Sequence, residues 1–177
     1  MKQQYKNTMF RQSGFSLIEA LVAFLILSIG LLGIASLQMI SLKAGKTAEM
    51  RTVAVIKAEE ILERIRNNPV QVMAYISGAG DLGVNNGCND GGGAVTMCTA
   101  AQMVEDDIYN WKADLLTSLP NNTTTNAVVE VVAPVPGTDP TAKVTVTINW
   151  QERNTETKTM DAMNYSVSTQ ICNNTGC

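Results

Sequence analysis

Apolar and polar positions fall into three regimes along this chain. Ala20 to Leu42, ALVAFLILSIGLLGIASLQMISL, carry no ionisable residue. That run exceeds the roughly 20 residues a helix needs to cross about 30 Å of hydrocarbon. Further on, Val55, Ala58, Leu62 and Ile65 form one apolar stripe, while Lys57, Glu60, Glu63, Arg64 and Arg66 occupy other faces. Asn67-Asn68-Pro69 is the predicted stop, because the residue before proline is pushed out of helical geometry.

Beyond that stop, Ser77 to Thr96 is rich in Gly, Asn and Asp and reads as an irregular loop. Thr99-Ala100-Ala101-Gln102 has capping-box spacing, and Val104, Ile108, Trp111, Leu115 and Leu119 follow at helical intervals. A second helix ending before Pro120 is predicted. Strands come next. Val144, Val146, Ile148 and Trp150 alternate with Thr145, Thr147 and Asn149; Ala127 to Val135 is Val-rich and closed by a Pro136–Pro140 turn. Met163, Tyr165, Val167, Thr169 and Ile171 alternate again after a polar turn near Arg153 to Thr157. The expected fold is α+β: one long helix and a second helix covering one face of a three-strand antiparallel meander.

Charge fixes the expected topology. Lys2, Lys6 and Arg11 precede the apolar run with no acid among them, which by the positive-inside rule leaves the N-terminus in the cytoplasm and the rest across the membrane. A secretory signal places its cleavage site after its apolar region, whereas here the Gly14-Phe15 junction precedes it, so the anchor is expected to survive processing. Glu19, at the mouth of the apolar run, needs a partner there. Cleavage after Gly14 would put a new amine on Phe15 four residues away, one helical turn along the same face, in its own chain or a neighbour's.

The residues G-F-S-L-I-E followed by an unbroken apolar helix resemble the N-terminal signature of type IV pilins and type II secretion pseudopilins. Ala20 to Gln38 is further similar to the PilV-type minor pilins, also called type IV pilus modification proteins. The resemblance implies a prepilin leader at 1–14, cut by prepilin peptidase after Gly14 with N-methylation of Phe15. It also implies that Glu19 directs subunit docking, with a membrane and filament-core helix at 15–42, its amphipathic continuation at 43–68 and an extracytoplasmic head at 69–177. One departure stands out: Ser36 sits where major pilins commonly carry a helix-loosening proline. Gly30 and Gly33 offer local weakness at about 1 kcal/mol each relative to alanine, or close packing between spans.

Cys88, Cys98, Cys172 and Cys177 all fall in the part expected outside the cytoplasm, where disulfides are permitted. Three connectivities are open, crossed pairing among them, and neighbour pairing of Cys88 with Cys98 and Cys172 with Cys177 is preferred. The segment CNNTGC resembles a shrunken pilin C-terminal disulfide loop. No Cys-x-x-Cys pair and no histidine are present, so neither a zinc site nor any other cofactor is expected. Asp81 and Asp90 lack calcium-loop spacing. Without histidine the commonest general base is missing and no enzyme activity is expected; Asp106-Asp107 reads as solvated helix face. Without the three basic leader residues, ten bases face sixteen acids, net near −6, which argues against nucleic acid as a partner.

The resemblance thus implies a non-enzymatic minor pilin of the inner membrane and then the cell surface, acting in pilus priming, twitching motility or adhesion. Its implied partners are other minor pilins, the major pilin, the inner-membrane assembly platform and prepilin peptidase, with a large tip adhesin as a further candidate. A type II secretion pseudopilin and a non-polymerising, signal-anchored periplasmic domain are the alternatives.

Overall fold

The computed structural model describes residues 16–88, 97–120, 124–135, 140–154 and 157–172. The chain divides into two compact units, Met1–Gly45 and Lys46–Cys177. Helix α1, Leu17–Asn67, begins in the first and ends in the second.

In the first unit, α1 is apolar all round and its large side chains from Leu17 to Leu42 are exposed. It is long and apolar enough to cross a membrane, and none of its apolar window is buried within the protein. A soluble core helix would hide that surface. The helix passes Gly30, Gly33 and Ser36 without a break, and a methyl added at either glycine would meet nothing within 4 Å.

The second unit holds the core. Ala54, Ala58, Ile61, Leu62 and Ile65 of α1 are fully buried, so three of the four predicted stripe positions lie in the core, while Val55 is only half-buried and Ala54 takes its place. Alanine at two of those five positions lets neighbouring elements approach the helix axis closely. Pro69 ends α1 as expected but opens a 3₁₀ segment, Pro69–Tyr75, that the periodicity did not reveal. It buries Val72 and Tyr75.

Helix α2, Ala100–Ser118, starts from the predicted capping box: Gln102 N donates to Thr99 Oγ1 at 3.3 Å and Thr99 N to Gln102 Oε1 at 3.0 Å. Val104, Ile108, Trp111, Leu115 and Leu119 are buried as expected. Trp111 also donates its indole N–H to the Lys57 carbonyl at 2.7 Å, tying α2 to α1 through a polar contact that a phenylalanine would lack.

Strands β1 (Asn126–Val132), β2 (Thr141–Arg153) and β3 (Met160–Cys172) form an antiparallel sheet in that order. Val144, Val146, Ile148 and Trp150 of β2 face the helices. In β3 they meet Thr169, Val167, Tyr165 and Met163 respectively across the strand pair. On the far face Thr145 and Thr147 pair with Ser168 and Ser166 at 2.9 and 3.1 Å. The Pro136–Pro140 turn lies largely outside the described residues.

Residues 78–88 have no helix or strand, as expected, yet they are pinned rather than loose. Ser77 exchanges two backbone hydrogen bonds with Val129 of β1, at 3.0 and 2.9 Å. Gly83, at φ +68°, lies so close to α2 that a Cβ there would sit 2.6 Å from the Glu105 carbonyl oxygen and 2.7 Å from Tyr109 N. Only glycine satisfies both the left-handed backbone and that approach. Gly83→Ala is expected to cost about 2 kcal/mol, measured by urea unfolding of the whole chain.

Candidate functional site

Two groups of residues carry the candidate chemistry. The first is the start of α1, where Glu19 N and Ala20 N donate to Ser16 O at 3.0 and 3.2 Å and open the helix. Glu19 is exposed in the first turn, where the helix dipole favours an acid. Gly14 and Phe15 lie outside the described residues.

The second is a polar layer where α1, α2 and the 3₁₀ segment meet. Asp107 and Asp106 were read as solvated helix face; both are buried, at 7% and 0% exposure, because the adjacent elements carry matching donors. Asp107 accepts from Arg64 at 3.1 Å and from the Tyr75 hydroxyl at 2.7 Å. Arg64 also holds Glu60 at 2.6 Å, and Glu60 takes Lys57 at 2.8 Å. Asp106 accepts from Asn86 N at 2.8 Å and Asn110 Nδ2 at 2.9 Å. Adjacent acids thus point in different directions, one to α1 and one to the 78–88 segment.

Burial pushes the Glu60 carboxyl up, but the hydrogen bonds and positive charge of Lys57 and Arg64 outweigh it and hold the group below its ordinary range. Burial likewise opposes the charge on Arg64, and Glu60 and Asp107 more than restore it. The Tyr75 hydroxyl is pushed up, by burial first and then by the Asp107 carboxylate it donates to.

Lys112, 3% exposed, is the most unexpected member. Its ammonium donates to Ser77 Oγ at 2.6 Å, Gly78 O at 2.7 Å and the Asp81 carbonyl. Burial lowers its pKa and Asp81 partly opposes the shift. A lysine beside a serine is one arrangement that activates a nucleophile. Here Ser77 is itself 1% exposed and clasped to Val129, and the amine is occupied by two carbonyls, so the contact works as a fastening between α2 and the 78–88 segment. Asp81, considered above for calcium, spends its carboxylate on Gly83 N at 3.0 Å. Among the described residues no group of three or more His, Cys, Asp or Glu is placed to hold a metal.

Cys88 and Cys98 form a disulfide with Cα atoms 5.8 Å apart, closing the end of the same segment against the start of α2. Cys172 is also disulfide-bonded, and Cys177 lies outside the described residues. A cleft of about 320 Å³ opens beside the polar layer, lined by Arg64, Asn67, Asn68, Met103, Asp107 and Asn110. Its charges are already matched, Arg64 to Asp107 and Glu60. The layer therefore holds three elements in register.

Residues 9–35 match the prokaryotic N-terminal methylation motif. That match spans the Gly14-Phe15 junction, Glu19 and much of the apolar run. No curated protein and no solved structure matches the chain. Signal and architecture agree: the motif that marks prepilin-peptidase substrates stands at the head of a long apolar helix that leads into an α+β fold, and the chain is pilin-like in both.

Asp107→Ala leaves Arg64 and Tyr75 facing each other without their shared acceptor, and a loss of about 3 kcal/mol in urea unfolding is expected. Glu60 has a folded pKa below its unfolded one, so it stabilises the protein above about pH 4.5 and that contribution is lost as pH falls through the folded value. Glu60→Gln should flatten this acid limb, measured as unfolding free energy across a pH series.

Proposed function

We propose that the chain is a minor pilin: cut after Gly14, N-methylated at Phe15, anchored by α1 in the inner membrane with its head in the periplasm, then built into a type IV pilus. The observation that carries the reading is the methylation motif over residues 9–35 placed directly on a helix whose apolar window is wholly exposed. An apolar surface of that length needs lipid or the helices of neighbouring subunits around it, and a filament core supplies the second after the membrane supplies the first.

In this reading Glu19 sets the docking register. As a carboxylate at the edge of an apolar environment it is costly alone and stabilised by the Phe15 amine, so a subunit enters where that pairing is made. The head contributes selective contacts, and other minor pilins, the major pilin and the assembly platform are its partners. Cys172 and Cys177 are assigned to each other, closing the C-terminal loop. The similarity of Ala20 to Gln38 to PilV-type minor pilins supports this over the pseudopilin alternative.

Glu19→Ala should insert into membranes at the level of the unaltered protein yet disappear from sheared surface pili, as read by immunoblot of the two fractions. Retention of Glu19→Ala in pili would remove the role given to this residue. Deletion of the gene should abolish or reduce surface pili; intact pili with blocked export of folded proteins would identify a pseudopilin instead.

A further inference from the structure

Asn86 is followed by Gly87, the one Asn-Gly pair in the chain. An asparagine side chain before glycine is open to attack by the next backbone nitrogen, because glycine sets no side chain beside that nitrogen and its backbone turns readily into the geometry a ring needs. The sequence alone therefore marks Asn86 as reactive, and the structure holds it still. Asn86 N donates to Asp106 Oδ1 at 2.8 Å, and its side-chain Nδ2 donates to Gln102 O at 3.1 Å and to Glu105 Oε2 at 3.0 Å, all on α2. Gly87 N, the attacking atom, donates to Asn85 Oδ1 at 3.0 Å. One residue further on, Cys88 is bonded to Cys98, immediately before the Thr99 cap of α2.

We propose that Asn86 is a site of spontaneous deamidation, held in check by its docking on α2 under the Cys88–Cys98 bridge. In the reaction Gly87 N gives its proton to solvent and bonds to Asn86 Cγ; the Cγ–Nδ2 bond breaks and ammonia leaves, giving a cyclic succinimide. Water then opens the ring at either carbonyl, to isoaspartate or aspartate, so one water is taken up, one ammonia is released and nothing is oxidised or reduced. Each observed contact opposes part of this course. The Asn85 side-chain oxygen stabilises Gly87 with its proton on rather than off. The two acceptors on α2 hold the Asn86 amide against the helix, and the Glu105 carboxylate disfavours the negative oxygen that develops on Cγ. The bridge ties the chain just past Gly87 to the start of α2. The product does not resume the same place: an acid at position 86 loses both Nδ2 donor contacts and sets a carboxylate against Glu105, and isoaspartate adds a carbon to the main chain before Cys88. Release of this stretch from α2 is thereby made permanent. The site does not depend on the pilin reading.

The test follows aspartate and isoaspartate at position 86 by peptide mapping and mass spectrometry, in full-length protein purified in detergent and kept at mildly alkaline pH. Unaltered protein is compared with Glu105→Ala, an exposed position, with the bridge intact, and with the double variant Cys88→Ser, Cys98→Ser, which leaves the bond of Cys172 in place. A synthetic peptide of residues 82–88 supplies the unrestrained rate, and hydrogen exchange of β2 amides in the same samples reports whether the head is folded. The unaltered protein is expected to react about tenfold or more slowly than the peptide, since each ~1.4 kcal/mol of restraint lowers the open population about tenfold. Both variants should react faster than the unaltered protein while β2 keeps its protection, the double variant approaching the peptide. An unaltered protein that reacts as fast as the peptide would overturn the proposal, as would a variant that reacts at the unaltered rate. Acceleration that comes only with loss of β2 protection would overturn it too, because the bridge would then support the whole head rather than gate this site.

Discussion

The head depends on one stripe of α1. Ala54, Ala58, Ile61, Leu62 and Ile65 are all fully buried, and the sheet and α2 pack around them. Burying five such side chains contributes several kcal/mol at roughly 25 cal/mol per Å² of apolar surface. The two alanines matter as much by what they lack. Trp111 donates its indole N–H to the Lys57 carbonyl between them, a contact that sets α2 along the helix as well as against it. Leucine at either alanine would overpack that seam.

Polar contacts then set the register that apolar packing leaves open. Hydrophobic burial is nondirectional, whereas Arg64, Asp107 and Tyr75 meet in one arrangement and join α1, α2 and the 3₁₀ segment through three side chains. Lys112 does the same for the 78–88 segment, which is also tied to α2 by Asn86 N donating to Asp106 and closed by the Cys88–Cys98 bridge. A stretch whose composition suggests mobility is thereby held as a fixed surface. The same fastening holds Ser77 where it pairs with Val129 of β1.

Much of this was legible from residues that act on near neighbours. The capping box at Thr99 and Gln102, the five apolar positions of α2 and the alternation along β2 depend on spacings of two to four residues, and each appears where expected. The uncharged run from Ala20 to Leu42 was equally plain, and the methylation motif overlaps its start. What escaped was set by distant partners. Asp107 looked solvated because Arg64 and Tyr75 lie 43 and 32 residues away in sequence; Lys112 finds Ser77 across 35. No local pattern announces such pairs. The 3₁₀ segment escaped for another reason: Pro69 reads as a stop, and the short turn after it offers too few residues for periodicity to register.

The proposed filament role rests on an apolar helix that is kept after processing at Gly14-Phe15. The most direct measurement is mass spectrometry of the N-terminus of the protein taken from membranes of cells with and without prepilin peptidase. A mature species beginning at N-methylated Phe15 only when the peptidase is present is the predicted result. An N-terminus still at Met1 in both cells would contradict it and leave a membrane-anchored domain with a pilin-like shape but no pilin pathway.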